Sequence, residues 1–286
     1  MNSITRVYGR DEKILLHIWR WKLATPASIH QIFFKQYHFQ NSLYFMNKLK
    51  NKKLVQAVSN LSGKSMAWAL TRKGFKSLSS LLPSLKEAGY KSDCPRHDIL
   101  LSSIQYEGFL SKDMDYLSII TEQELRRYKR EILPKWVPNI EFRRPDGYWR
   151  VKSKKTSKED IFALEVELSR KTDSDYQSIS GVYAREKSVR RVMWFVPDDR
   201  QVKRLNTILN TQQKKSYSKH NIIRIDDYHK DLWRANISAG PEEGIPMGKL
   251  LGFVPVETLL KAKYSPMLDG RRYPAKTKGY KIYGEY

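Results

Sequence analysis

Two short segments decide the fold of this chain, Arg144-Pro145-Asp146-Gly147 and Ala163-Leu164-Glu165-Val166-Glu167-Leu168-Ser169-Arg170-Lys171. The second segment reads as a strand over residues 161–168, and because side chains alternate along a strand, Glu165 and Glu167 share one face. Asp146 lies at the turn that opens a strand over residues 146–151. If these two strands pair, Asp146 is brought to the face of the two glutamates. Clustered carboxylates repel each other unless a cation lies between them, so the pattern predicts Asp146, Glu165 and Glu167 as ligands of Mg²⁺ or Mn²⁺.

The chain is strongly basic, and its positive charge is concentrated near the N-terminus. The net charge is +23, and the first 92 residues hold 16 Lys or Arg against 3 Asp or Glu. Such a field attracts polyanions and releases counterions when the protein binds DNA or RNA. An anionic membrane surface is the weaker alternative, because no basic amphipathic helix stands out. The phosphodiester of a nucleic acid is therefore the expected target of the metal site.

The sequence carries no signal for a membrane or for secretion. No apolar run approaches the roughly 18 residues that cross a bilayer, and the N-terminus lacks the apolar core of a signal peptide. Cys94 is the single cysteine, which excludes an intrachain disulfide framework and a zinc site built from several cysteines. We expect a cytoplasmic protein without a membrane partner.

The first of two expected domains covers residues 1–92. Helical spacing of apolar residues predicts helices at 11–22 and 26–36 and a third that begins at Asn41, with Thr25 capping the second. Two short strands, VQAVSN and SMAWALT, then flank a glycine-containing turn, and a fourth helix begins with TRKGFKSL. Three helices, a hairpin and a closing helix follow the order of a winged helix-turn-helix domain.

The third helix of this domain would lie in the major groove of double-stranded DNA. Its outer face is basic and rich in amides. The side chains expected to contact DNA are Ser42, Tyr44, Asn47, Lys48, Asn51, Lys52, Lys53 and, on the wing, Lys64. The two asparagines could read adenine edges, whereas Lys52 and Lys53 would meet phosphates, which position the protein without specifying sequence. The alternative is a winged helix that docks another protein.

The second domain is expected over residues 93–235. Thr121 and Glu124 match a capping box, which leaves Glu122 free to face a neighbouring site. The elements predicted from there are a helix at 121–131, strands near 136–142, 146–151 and 161–168, a helix at 173–187, a strand at 190–196, a helix at 198–211 and a strand at 221–226. A strand–helix–strand crossover makes its two strands parallel, whereas the hairpin before it is antiparallel. We therefore expect a mixed sheet and an α+β chain of two domains.

This order of elements, with Pro145-Asp146 followed by Glu165-x-Glu167, resembles the PD-(D/E)xK nuclease superfamily. The resemblance implies a restriction-endonuclease-like α/β domain in which Asp146 and Glu165 bind the metal. The third position of the pattern orients or activates the attacking water and is usually Lys. Glu167 stands there in this sequence, and Lys171, at the start of the following helix, is the candidate for the missing cation.

A narrower likeness comes from the winged helix followed by T-E-x-E-L, P-D-G and A-L-E-x-E-x-S-x-K-x-x-x-x-Y. This combination, over roughly residues 10–200, resembles the replication-relaxation family of mobile-element proteins, which includes MobC-type mobilisation relaxases. The resemblance implies catalytic roles for Glu122, Asp146, Glu165, Glu167 and Lys171. It also implies accessory or coupling proteins of a mobile element as partners. The function expected on this basis is metal-dependent nicking of DNA, by a relaxase or a site-specific endonuclease, in mobilisation or replication.

The chemistry of such a site follows from the metal. A divalent cation held by Asp146 and Glu165 would polarise a phosphodiester and lower the pKa of its bound water. Better-known relaxases use a His-hydrophobe-His metal site and a tyrosine nucleophile, and none of the six histidines here forms such a pair. A covalent route through Tyr176 or Tyr183 is an alternative that rests on position alone.

A second function, from a different class, fits the same sequence. The protein would be a non-catalytic DNA-binding regulator or replication initiator with a degenerate nuclease fold, which the absent lysine favours. A strand that reads Glu-Val-Glu and an Asp-Gly turn are both common in proteins without a catalytic site. Residues 236–286 form a basic, aromatic C-terminal extension. Such a segment can stack on single-stranded DNA, pack across its own domain or bind a partner protein.

Overall fold

The computed structural model describes residues 9–59, 66–110, 117–139, 143–152, 159–211 and 218–252, without the side chains of 106–110. The predicted wing residue Lys64 and most of the predicted C-terminal extension lie outside these ranges. Within them, no helix combines the length and the apolar character needed to span a membrane. The described chain is α+β and has a smaller and a larger sheet.

The N-terminal part consists of four helices and a small antiparallel sheet. Its elements are α1 (Arg10–Trp21), β1 (Leu23–Ala24), α2 (Pro26–Phe33), α3 (Phe39–Asn51), β2 (Val55–Ser59), β3 (Met66–Leu70) and α4 (Arg72–Leu78). Both β1 and β2 pair with β3, so the strand order is β1-β3-β2. The Thr25 side chain accepts a hydrogen bond from the backbone N–H of Ser28 at 3.1 Å, which confirms the predicted cap of α2. The four helices and the hairpin strands predicted from the sequence are confirmed, but α2 ends at Phe33 instead of residue 36, and α3 begins at Phe39 instead of Asn41.

The larger sheet has five strands and is mixed, as predicted. Its strands are β4 (Leu117–Thr121), β5 (Gly147–Lys152), β6 (Glu159–Val166), β7 (Val189–Val196) and β8 (His220–Arg224), and they lie in sequence order. The first three are antiparallel, and β6, β7 and β8 are parallel. The alternating and continuous apolar runs of these segments are what a sheet covered on both faces requires.

Helices cover both faces of the larger sheet. They are α5 (Pro95–Leu110), α6 (Glu122–Arg127), α7 (Asp173–Arg185), α8 (Asp199–Asn210), α9 (Ile225–Asp231) and α10 (Met247–Leu250), with single 3₁₀ turns at Arg130–Ile132 and Leu232–Arg234. One face buries Ala163 and Trp194 against α7 and α8. The opposite face buries Phe162 and Phe195 against α5 and the segment that follows β8.

The strand predicted at 136–142 is wrong for the part that the structure describes, because residues 136–139 form turn and irregular backbone. Pro134 precedes this segment and Pro138 lies within it, and proline cannot donate to a strand ladder. On the side of β5 away from β6, the antiparallel neighbour is β4 and not a strand at 136–142. The helix predicted at 121–131 is also shorter, because α6 ends at Arg127, where the backbone of Tyr128 turns extended.

The N-terminal part is packed against the larger sheet region. The ring of Trp19 in α1 stacks on Tyr128, with ring centroids 5.4 Å apart. The connector between α4 and α5 contributes two contacts. Its Leu85 forms an isolated bridge with Tyr128, and the carbonyl of its Gly89 accepts the Trp19 indole N–H at 3.0 Å. These contacts tie α1, the connector and the end of α6 together.

Candidate functional site

The predicted pairing of the two segments around Asp146 and Glu165 is confirmed. Gly147 lies opposite Leu164 in the β5–β6 ladder, and the backbone N–H of Asp146 donates to the carbonyl of Leu164 at 3.0 Å. A side chain at Gly147 would not fit, since its Cβ would lie 2.8 Å from the Gln105 amide and from the carbonyl of Ile120. Asp146 is therefore held at the end of β6, beside Glu165.

The Asp146 carboxylate is bound at that strand end. Its Oδ2 accepts the backbone N–H of Val166 at 2.6 Å and lies 3.4 Å from Nε2 of His97. The pKa of His97 is raised to about 10: burial alone would lower it, but the carboxylates of Asp146 and Asp98 outweigh burial. His97 is therefore an imidazolium at neutral pH, and it pairs with Asp146.

Glu165 is satisfied by a different set of groups. It is 3% exposed, and the Arg143 guanidinium grips its two oxygens, with Nη2 at 2.6 Å and Nε at 3.3 Å. The Tyr183 hydroxyl donates to the same carboxylate at 2.6 Å. Burial raises the pKa of Glu165; Arg143 opposes the rise and the nearby Asp146 carboxylate adds to it. Three donors thus converge on this one carboxylate.

Asp146 and Glu165 are bound from opposite faces of the sheet. His97 belongs to α5, whose buried side chains pack on the Phe162 face, whereas Tyr183 belongs to α7 on the Ala163 face. The two carboxylates are close enough for their charges to interact. Their hydrogen-bond partners, however, draw them towards different helices.

Glu167 forms a third separate ion pair. Its backbone N–H donates to the carbonyl of Phe195 at 2.9 Å, which fixes it just past the end of β6. The buried carboxylate contacts the Lys171 ammonium and accepts from the backbone and hydroxyl of Ser169, both at 3.3 Å. Lys171 does lie at the predicted cluster, and there it neutralises Glu167.

Glu122 lies beside Asp146, whose carbonyl accepts its backbone N–H at 3.1 Å, and its carboxylate is paired with a cation from the N-terminal part of the chain. Lys22, which follows α1, extends its ammonium to Glu122 Oε2 at 2.5 Å and to Asp98 Oδ1 at 3.0 Å. Burial disfavours the charged lysine, but the two carboxylates outweigh it, so the pKa of Lys22 is raised. The hydroxyl of Ser92 donates to the other oxygen of Asp98 at 2.5 Å.

The structure places the predicted ligands of Mg²⁺ or Mn²⁺, which are Asp146, Glu165 and Glu167, in separate ion pairs. Over the described ranges, no group of three or more His, Cys, Asp or Glu side chains is placed to hold a metal ion. Each predicted catalytic carboxylate has a cation of the chain instead: Lys22 for Glu122, His97 for Asp146, Arg143 for Glu165 and Lys171 for Glu167. Arg143 and Tyr183 donate to the oxygens of Glu165, whereas the recorded contacts of Asp146, with Val166 and His97, both involve Oδ2.

Two tyrosines considered as nucleophiles are buried. Tyr176 is 1% exposed and Tyr183 is fully buried, and both side chains pack in the core beneath α7. Burial raises the pKa of each phenol, and for Tyr183 the Glu165 charge adds to the rise. Neither hydroxyl is presented to a phosphodiester on the surface.

The predicted DNA-binding face of α3 is largely exposed. Tyr44 is 75% exposed, an unusual position for an aromatic ring, and the side chains that line a shallow hollow beside it are Asn47, Lys48, Asn51 and Lys52. Lys53, just after the helix, is also exposed and has a positive φ of 59°. These six residues are where the sequence placed them.

Ser42 is a correction to the predicted face. It is 1% exposed, and its hydroxyl donates to the carbonyl of Phe39 at 2.6 Å. Position 42 lies four residues before Met46 and seven before Leu49, so it falls on the buried stripe of α3. Ser42 cannot contact DNA from there.

The N-terminal part carries an uninterrupted positive field. Its acidic residues in the first 92 positions are Asp11, Glu12 and Glu87, so residues 13–86 contain no Asp or Glu at all. Asp11 is engaged by Lys52 in an exposed pair at 3.1 Å. The surface around α3 is therefore strongly basic, and Asp11 offsets the charge of Lys52 there.

The described chain is thus an α+β protein with an exposed basic helix face on α3 and a set of carboxylate ion pairs at the end of β6. Comparisons of the chain with protein-family models, with curated protein sequences and with solved structures found no match. The resemblance to the replication-relaxation family stays a prediction from short motifs.

Proposed function

We propose that this protein binds double-stranded DNA through α3 and acts as a regulator or replication initiator. One observation carries the proposal: the exposed face of α3 presents a ring, two amides and two ammonium groups within a stretch that has no acidic residue. An α-helix fits the major groove, where asparagine amides bind adenine edges and lysines meet phosphates. The charge gives affinity, and the amides give sequence preference.

The order of elements supports a winged helix-turn-helix arrangement for this part. Helices α2 and α3 are joined by residues 34–38, and the β2–β3 hairpin follows directly. Strand β1 completes the three-stranded sheet from the segment between α1 and α2. In that arrangement α3 is the recognition helix and the hairpin is the wing.

Binding is tested with a pool of duplexes from which preferred sequences are selected. We expect Asn47→Ala and Asn51→Ala each to relax the preference at particular base pairs, by about 1–3 kcal/mol for a lost bidentate contact. Asn210→Ala removes an exposed helical amide on α8 and is the matched control. A wild-type protein with no affinity for any duplex would end the proposal.

Strand cleavage is the second candidate, and one observation favours it. Asp146, Glu165, Glu167 and Lys171 meet at one end of β6, in a mixed sheet that supports a restriction-endonuclease-like core. Because each of these carboxylates is paired with a cation of the chain, we rank cleavage behind binding. Supercoiled plasmid incubated with protein and Mg²⁺ or Mn²⁺ separates the two functions. Relaxed circles that disappear with Glu165→Gln support an enzyme, whereas binding without relaxed circles supports the regulator.

A further inference from the structure

Helix α4 continues the basic surface of α3. The Thr71 hydroxyl, at the cap of α4, donates to the carbonyl of Lys53 at 2.5 Å, and its backbone N–H donates to that of Leu54 at 3.0 Å. The Lys73 ammonium lies 3.1 Å from the carbonyl of Lys52, which itself lines the hollow on α3. The first turn of α4 thus sits directly on residues 52–54, which follow the predicted recognition helix.

Gly74 allows this close approach. A Cβ at position 74 would lie 2.0 Å from the carbonyl oxygen of Leu54 and 2.9 Å from its carbonyl carbon. Real Cβ atoms do not come this near to backbone atoms, so a larger residue would push α4 away. The contact between α4 and the end of α3 depends on a residue without a side chain.

The outer side of α4 carries three exposed cations, Arg72, Lys73 and Lys76. In the described structure none of them forms an ion pair with a carboxylate, whereas many arginines around the larger sheet do, as with Arg204 and Asp173. Arg72 and Lys76 are one helical turn apart and therefore lie on the same side of α4. Three uncompensated cations next to an electropositive groove-binding helix form an anion-binding surface.

We propose that Arg72, Lys73 and Lys76 bind backbone phosphates of duplex DNA, so that the DNA footprint runs from α3 onto α4. This inference rests on the proposed function, since it assigns a second contact to the same duplex. Phosphate is the partner that the chemistry fits, because lysine ammonium groups act as point charges that need no fixed geometry. Such contacts add affinity on every sequence and add no preference among sequences.

The test is the salt dependence of duplex binding by the full chain. Arg72→Gln, Lys73→Gln and Lys76→Gln are combined in one variant. Each phosphate contact contributes about 0.9 to the slope of log affinity against log salt, so three lost contacts should lower the slope by roughly 2.7. At about 0.15 M salt the affinity should fall by at least tenfold, equally on preferred and unrelated duplexes.

Two comparisons keep the outcomes distinct. The charge-matched control combines Arg185→Gln, Lys187→Gln and Lys230→Gln, which are exposed cations far along the chain. The inference is overturned if the control variant lowers the salt slope as much as the α4 variant does, or if neither variant changes the slope. Either result leaves the proposed DNA binding in place. Wild-type protein that does not bind duplex at all ends the proposed function itself. Circular dichroism and thermal melting of both variants show that a loss is not one of folding.

Discussion

Arg143 is the residue that decides what the carboxylate cluster can do. Its guanidinium donates to both oxygens of Glu165, and the Tyr183 hydroxyl donates to one of the same oxygens. A planar fork of this kind matches a carboxylate better than any ammonium group could. The cluster is therefore a set of ion pairs, and the chain itself supplies the positive charge.

Removal of the Arg143 guanidinium should destabilise the folded protein, because it leaves the buried Glu165 carboxylate without its cation. We expect Arg143→Gln to lower the free energy of unfolding by about 3–5 kcal/mol, the usual cost of leaving a buried charge without its partner. Glu165→Gln in the same protein should recover part of this loss, because the neutral amide can still bond to Tyr183. Urea unfolding of the two single variants and the double variant measures the coupling. Additive effects would mean that the two side chains do not stabilise one another.

At the scale of elements, Gly74 sets how closely α4 packs on the corner between α3 and β2. We expect Gly74→Ala to destabilise the protein by about 1–3 kcal/mol, as overpacking does, even though alanine is the better helix former. Gly181→Ala in α7 is the matched control, since the nearest atom to its Cβ is 3.9 Å away. That variant should be neutral or stabilising by up to about 1 kcal/mol. Equal effects at both positions would contradict the packing argument.

Elements with local signals were predictable from the sequence. The cap at Thr25 and the capping box at Thr121 and Glu124 are confirmed because a cap needs only residues three positions apart. Strand β1 is not predictable because two residues are too few to show an alternation of apolar and polar side chains. Strand β4 is not predictable because its apolar run continues directly into α6. The two-residue period around Asp146 and Glu165 was enough to predict their pairing, since both lie in one hairpin.

The partners of the carboxylates could not be predicted in the same way. Lys22 and Glu122 are separated by 100 residues, and His97 and the carbonyl of Val166 by 69. No period or spacing in a single sequence brings such residues together. Arg143 is close in sequence to the site, three residues before Asp146. A charged residue in a turn nevertheless gives no sign that its side chain will pair with a buried carboxylate.

For the molecule as a whole, Lys22 joins the N-terminal part to the larger sheet region. Its φ of 61° places a non-glycine residue in a left-handed conformation, and its ammonium bridges Asp98 and Glu122. Arg20 reinforces the joint, with its guanidinium 3.1 Å from Glu124. These ion pairs anchor the end of α1 to α5 and α6.

Loss of the Lys22 ion pairs should destabilise only the region where the N-terminal part contacts α5 and α6. We expect Lys22→Gln to speed amide hydrogen exchange in α1, α6 and the start of α5, because the buried Asp98 and the half-buried Glu122 lose their cation. Exchange in α8, on the far face of the sheet, should not change. Mass-spectrometric exchange on peptides from both regions makes the comparison within one sample. A uniform increase would indicate global destabilisation and would contradict a joint between the two parts.

Two histidines, the buried His220 and the half-buried His17, should make the whole fold sensitive to acid. His220 accepts from the indole N–H of Trp194 at 3.0 Å and lies 3.0 Å from the Ser180 hydroxyl; its pKa is lowered to about 3 by burial, with Lys219 adding to the effect. The pKa of His17 is likewise lowered to about 3, by burial and by Arg20.

An unfolded histidine has a pKa near 6.5, so between about pH 6.5 and pH 3 the unfolded chain binds a proton that the folded chain does not. The stability is fully present above pH 6.5 and falls with the pH, and at pH 5 each histidine should lower the free energy of unfolding by about 2 kcal/mol. Urea unfolding at pH 7.5 and pH 5.0 measures this loss, which should be about 2 kcal/mol smaller in His220→Gln than in the wild type. His97 titrates in the opposite sense but is common to both proteins, so it cancels in the comparison. An equal loss in the two proteins would show that His220 takes up its proton without unfolding.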